Sequence, residues 1–403
     1  MTRIGRLLHS WKPVYSSLGL ELTDRQIKLV EAGLGSKMKP IVYQHAIEKL
    51  PDGAVVDGRI KQGMPIIVQL KRMLRSKPFR AKRVHLVLPS QLIMVRFLKL
   101  PDIPVKDLRK VVAFELNHNL HLPFDHPYYD FAKLNGSNNK KAHKPMKKAS
   151  PAAKPQEPAF QETAAAKDQP SVNNMFADFE SPASAPASDV QPPALCDVML
   201  VAAPRELIDE YVAIVKAAGL VPATIEFKAM SLLRLALSIE MVKSDETFMV
   251  VDINETGTDL SIFHRTELKI TRNVPLPVPS TITAADQKTP ASDSGADWFA
   301  EFNTIAKVDD PLQAFSGDLL HEIERLMNFY RYTLNNRDHE FTSIILSGDV
   351  EGLADIEEYC KARFPELVRL LFSYRIHIDA TDPFTLLPKI AVPLGVGLRG
   401  KET

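Results

Sequence analysis

The sequence predicts an α/β protein made of two related halves. Each half opens on a strand hairpin with an acidic residue beside its turn: residues 18–22 and 26–32 flank Thr23-Asp24-Arg25, and residues 248–253 and 259–264 flank Asn254-Glu255-Thr256-Gly257. After each hairpin, short apolar strands alternate with amphipathic helices. Two polar tracts, 135–194 and 280–311, interrupt that alternation without replacing it.

Bulk composition narrows the classes of function. The chain has 403 residues, 45% of them hydrophobic and 25% charged, enough for two or more compact domains. A formal net charge of +1 creates no overall field for nucleic acid, so no nucleic-acid partner is expected. The two cysteines, Cys196 and Cys360, lie far apart without metal-ligand spacing and fit a reducing cytoplasm. No stretch approaches the roughly 20 apolar residues of a bilayer-spanning helix, and the N-terminus lacks the apolar block of a signal peptide. Membrane association is therefore expected only through a surface helix or a protein partner.

Taken in order, residues 1–13 place Ile4, Leu7, Leu8 and Trp11 on one helical face, with Arg3, Arg6 and Lys12 elsewhere on the wheel. This is a short basic amphipathic segment ended by Pro13, suited to an anionic membrane surface. A strand over 41–50 closes on the Pro51-Asp52-Gly53 turn. A helix follows through Ile66, Leu70 and Leu74, then strands over 84–88 and 92–100. Pro104 opens a helix carrying Leu108, Val112 and Leu116, and strands are read at 128–134 and 196–202. Pro204 opens another helix, stopped by Gly219. Between the strands at 128–134 and 196–202 lies 135–194, rich in Ala, Pro, Ser and Lys. It has too little apolar surface to offset the roughly 1–2 kcal/mol per residue of chain entropy, and reads as a disordered loop. One apolar island in it, Met175-Phe176-Ala177-Asp178-Phe179, has the form of a docking motif. The second half adds a strand over 269–274, the polar loop 280–311 and an amphipathic helix over 318–334. A strand over 341–346 then ends at Ser347-Gly348-Asp349, and the chain closes on a small-residue segment, 393–400.

The order of these pieces resembles the actin-like, sugar-kinase and Hsp70 superfamily. More closely it resembles the PilM family of type IV pilus assembly proteins. The matching text is Leu18-Gly19-Leu20-Glu21-Leu22, Lys28-Leu29-Val30, Leu98-Lys99-Leu100-Pro101, Phe114-Glu115, Leu122-Pro123-Phe124 and Tyr129-Asp130-Phe131. It continues with Val201-Ala202-Ala203, Ala218-Gly219-Leu220 with Pro222, Val251-Asp252-Ile253 with Thr258, and Gly395 through Arg399. The resemblance implies an actin-like, ribonuclease-H-like duplicated fold of two lobes, with a small inserted α+β subdomain like that of the cell-division protein FtsA. Residues 14–80 and 219–245 would form the first lobe, 81–218 the insert, and 246–403 the second lobe. It also implies a cytoplasmic scaffold on the inner face of the cell membrane. Its expected partners are the N-terminal tail of a PilN-like membrane protein and the pilus motor ATPases.

The same resemblance implies ATP and Mg2+ in a cleft between the lobes. Glu21, Thr23, Lys28, Asp252, Asn254, Thr256, Thr258, Gly348, Asp349 and Gly395 would surround the nucleotide, with Glu21 and Asp252 holding the metal through water. Phosphate hairpins use glycine because a backbone without Cβ approaches closely. Here Thr23 and Asn254 stand in those places, and the adenosine turn reads Ser347-Gly348-Asp349 in place of a glycine run. Turnover is therefore not expected, and ATP would serve as a structural brace or a switch. No P-loop or HExxH motif occurs, and His118, His121 and His126 read as surface or packing residues. The rival readings are a small-molecule kinase of the superfamily and an FtsA-like polymerising protein.

Overall fold

The computed structural model describes residues 16–35, 38–134, 194–276, 278–279 and 311–399. The segment 1–13, the island 175–179 and nearly all of the tracts 135–194 and 280–311 lie outside the described residues.

The first lobe begins with a meander, β1 (Ser17–Leu22), β2 (Gln26–Leu34) and β3 (Pro40–Lys49). A small hairpin, β4 (Val55–Val56) with β5 (Arg59–Ile60), leads to α1 (Gly63–Ser76) and β6 (Arg83–Leu88). The chain then leaves the lobe through β7 (Met94–Pro101), α2 (Val105–His118), β8 (Pro127–Lys133) and β9 (Leu195–Pro204). It returns through α3 (Arg205–Ala217), β10 (Val221–Phe227) and α4 (Lys228–Ser238). The second lobe repeats the plan: β11 (Thr247–Asn254), β12 (Gly257–His264), β13 (Glu267–Val274), α5 (Pro311–Asn328), β14 (Phe341–Gly348), α6 (Leu353–Arg363) and β15 (Val368–Leu370). Two last elements, β16 (His377–Ile378) and α7 (Pro383–Gly397), follow.

Sheet order makes the duplication explicit. One sheet runs β10-β6-β1-β2-β3-β16 and the other β13-β12-β11-β14-β15. In both, a three-stranded antiparallel meander extends to one side of its first strand and two parallel strands extend to the other. β1 and β11 are each buried along their whole length. That is why they read as near-continuous apolar runs rather than as alternating strands. The duplicated two-lobed fold that the resemblance implied is present in this sheet order.

Two boundaries differ from the sequence reading. The insert does not span 81–218. β6 pairs with β1, and α3 buries Leu207, Tyr211 and Val215 in the first-lobe core beside Leu70 and Leu86. The separate module is the three-stranded sheet β7-β9-β8 with α2, whose core holds Leu100, Leu108, Val112 and Leu200. Nor does the second lobe run to 403. β16 pairs with β3 of the first lobe, and α7 packs against α4, β1 and β2. Residues 393–397 of the small-residue segment form the end of this helix. From Ile390 to Gly397 α7 is apolar on every side because that stretch is buried on every side.

α4 and α7 lie between the sheets and share one core with both lobes: Val30 and Ala32 from β2, Leu232 and Leu235 from α4, Ile390 and Leu394 from α7, and Phe248 and Ile345 from the second sheet. The helices approach closely at Gly395, where a Cβ would sit 2.1 Å from the Ser231 carbonyl oxygen. This is what Gly395 does; it belongs to helix packing and not to a nucleotide pocket. Gly395→Ala should therefore lower unfolding free energy by about 1–3 kcal/mol, as overpacking does, measured by urea denaturation.

In the second lobe, His264 stacks on His339 with ring centroids 3.7 Å apart, and their Nδ1 atoms meet Thr247 Oγ1 and Tyr330 Oη at 2.8 and 2.6 Å. Burial, then the neighbouring His339, pushes the His264 pKa down from 6.5 to about 4. A depressed pKa means the folded state keeps this ring neutral while the unfolded chain takes up a proton. Stability from this group is thus complete above about 6.5 and is lost as pH falls toward 4. Melting temperature should drop across that window, and His264→Phe should flatten the drop.

Candidate functional site

The two hairpins face each other across the interlobe cleft, as the duplicated architecture requires. Between them is a cluster of buried charge. Lys28 on β2 reaches Glu21 on β1 at 3.3 Å and Asp349, just after β14, at 2.8 Å. Lys228, the first residue of α4, reaches Glu21 at 3.5 Å, Asp252 on β11 at 3.2 Å and Asp259 on β12 at 3.3 Å. Both lysines thus join acids of one lobe to acids of the other. Every side chain in the cluster is at most 10% exposed.

Burial alone would lower the pKa of each lysine, but the surrounding carboxylates outweigh it. Glu21 and Asp349 raise the pKa of Lys28, and Asp252, Asp259 and Glu21 raise that of Lys228. Burial likewise opposes ionisation of Asp252, yet Lys228 and the Asn254 amide bring its pKa below 3.8. The shifts of Lys28, Lys228 and Asp252 thus all favour the charged form.

Above the cluster lies a cavity of ≈ 500 Å³, lined by the hairpin tips and by the β4–β5 hairpin. Glu21, Thr23, Asn254 and Thr256 line it. Lys28, Asp252, Thr258, Gly348 and Asp349 are not among its lining residues. Thr23 is a turn residue: its Oγ1 accepts from the Gln26 amide at 3.0 Å. Asn254 donates from Nδ2 to Asp252 Oδ2 at 2.9 Å and so orients that carboxylate. Thr258 is fully buried in β12. Gly348 has φ +140, and a Cβ there would lie 1.9 Å from the Ile253 carbonyl oxygen. That close crossing brings Asp349 onto Lys28, away from the cavity.

Sequence reasoning missed Lys228, Asp259, Asp24 and Arg59. Asp24 accepts from the amides of Asp57 and Gly58, both at 2.8 Å, and so ties the β4–β5 hairpin to the first hairpin tip. Arg59 and Lys61 then enter the cavity wall. Only Lys228 carried a signal: a lysine opening a helix opposes the helix dipole and needs compensating acids.

The expectation of a metal on Glu21 and Asp252 does not fit this arrangement. Magnesium requires oxygen donors at roughly 2.0–2.1 Å in near-octahedral geometry. Here an ammonium stands between the two carboxylates, and among the described residues no group of three or more His, Cys, Asp or Glu is arranged to hold a metal ion.

A second concavity, ≈ 510 Å³, separates the insert from the first lobe. Residues 128–132 of β8 form one wall and 225–227 of β10 another, with Met199, Val201 and Met230 between them. β8 and β10 are the outer strands of their sheets. At one end Arg234 grips Glu226 through both guanidinium nitrogens, at 2.6 and 2.8 Å, and Arg399 adds a contact at 3.2 Å.

Lys28→Met would strand Glu21 and Asp349 without this cation. Removing one partner of a buried pair costs about 3–5 kcal/mol, a loss to be read from urea unfolding at neutral pH.

Residues 19–150 match the model of the family described as Type IV pilus assembly protein PilM. Among solved structures, a chain of the "PilM-PilN type IV pilus biogenesis complex" is 20% identical, with 97% of this chain and 100% of that chain aligned at a TM-score of 0.67. More distant likenesses include the ethanolamine utilization protein EutJ from Carboxydothermus hydrogenoformans, 14% identical over 96% of this chain and 91% of that chain (TM-score 0.44). Another is a protein of actin-like ATPase fold from Bacteroides thetaiotaomicron, 10% identical over 91% and 94% (TM-score 0.38). No curated protein sequence gives a significant match. The family match spans residues 19–150, and the solved structure of 20% identity shares the fold over nearly the whole chain.

Proposed function

We propose that this chain is a scaffold of type IV pilus assembly that receives the cytoplasmic N-terminal tail of a PilN-like membrane protein. The observation that carries this reading is the concavity between insert and first lobe. An outer strand leaves one row of backbone donors and acceptors without a strand partner, and an extended segment can add to it as a further strand. Consecutive residues of β8 line the concavity, so it is bordered by the edge of that strand as well as by its side chains. Met199, Val201 and Met230 offer apolar contact to alternate side chains of the incoming segment. The Arg234–Glu226–Arg399 group closes one end with polar partners.

The solved neighbour is described as a PilM-PilN complex, which accords with such a partner. In this reading the membrane span belongs to the partner; no helix among the described residues is long and apolar enough to cross a membrane. Nucleotide turnover has no part in it.

A synthetic peptide of the tail, titrated into the full chain, tests the reading. The unaltered protein should bind, and Val201→Lys or Met230→Glu should weaken binding by at least about tenfold, as loss of a central apolar contact does. Circular dichroism would establish that each variant remains folded. Failure of the unaltered chain to bind the tail, with and without ATP and magnesium, would overturn the assignment.

A further inference from the structure

Lys228 occupies a position that opposes its own charge. It opens α4, where the free backbone N–H groups carry the positive end of the helix dipole. It is nevertheless 8% exposed. What offsets this is a set of three carboxylates around one ammonium: Glu21 at 3.5 Å, Asp252 at 3.2 Å and Asp259 at 3.3 Å. An ammonium has three donors and no acceptor, so it can address three carboxylates at once. The three come from strands of both lobes. Glu21 is only 1% exposed, lines the interlobe cavity, and neither of its oxygens receives a hydrogen bond from the described residues. Charge from the two lysines is what holds it.

We propose that Lys228 is the built-in cation of the cleft: its ammonium takes the bridging place of a divalent metal and keeps the lobes closed without metal or nucleotide. The ammonium is tethered, so its effective concentration at the acids does not depend on the medium. A metal ion entering beside it meets two ammoniums, Lys228 and, through Glu21, Lys28. A phosphate chain meets Glu21 and Asp259 in the cavity wall beside Lys228, whose ammonium these acids already hold, with Arg59 and Lys61 in the same wall. As built, the acids of the cleft are already matched by a cation and leave no place for a metal between them. Lobe closure then becomes a standing property of the scaffold. This inference is independent of tail binding at the insert.

Thermal melting of the full chain tests it. The unaltered protein should melt at the same temperature in EDTA, in millimolar magnesium, and in magnesium with ATP. Lys228→Met should melt lower in EDTA and recover at least half of the loss in millimolar magnesium or calcium, because its three carboxylates are then free to bind a metal. Lys228→Arg keeps the cation and should stay close to the unaltered protein and indifferent to metal. A rise in melting temperature of the unaltered chain with magnesium, alone or with ATP, would overturn the proposal. So would a Lys228→Met chain that ignores metal, whether it melts like the unaltered protein or does not fold. The melting of the unaltered chain decides the matter without relying on any variant.

Discussion

Charge placed where water cannot reach it must be matched on the spot, and this protein does so at the seam between its lobes. Isolated burial of a carboxylate or an ammonium is prohibitive, and removing one partner from a buried pair leaves the full desolvation cost behind. Four carboxylates and two ammoniums therefore hold one another in place, and strands of both lobes must stay in register for them to do so. Directly beneath, α4 and α7 fill the space between the two sheets with one shared apolar core. Attraction between charges sets the relative position of the lobes, and apolar burial supplies the bulk of their cohesion.

The same architecture separates two sites with different chemistry. The cavity above the ion cluster carries Glu21, Asp24, Arg59, Lys228 and Asp259 in its wall and is framed by hairpin tips that the duplicated fold brings face to face. The concavity beside β8 and β10 is largely apolar and exists only because a module is inserted between β6 and α3. One face of that module's sheet packs on α2 around Leu100, Leu108, Val112 and Leu200, while Met199 and Val201 on the other face reach the core shared by the lobes. A gap bordered by outer strands suits an extended peptide, while charged side chains shared by both hairpins suit a brace between lobes.

Much of this was legible in the sequence because strand periodicity and turn chemistry are local. The hairpin around Thr23-Asp24-Arg25 was readable from apolar runs meeting a polar turn, and β1 pairs with β2 across that turn. Glu21, Lys28, Asp252 and Asp349 were also singled out, and they do come together. Their roles differ from the expectation. The glycine substitutions at Thr23 and Asn254 belong to a site whose acids already have cations. Thr23 closes its own turn, and Asn254 orients Asp252.

By itself the amino-acid sequence determined the two-fold repeat of meander, parallel strands and helices, along with the acids beside each turn. These are encoded in neighbouring residues, through side-chain alternation and turn preference. Only the tertiary structure decided that β6 and α3 belong to the first lobe, that α7 returns to it, and that Lys228 stands between Glu21, Asp252 and Asp259. Those facts depend on which distant surfaces are buried together, and no local pattern records how far a buried lysine reaches or which carboxylates it meets.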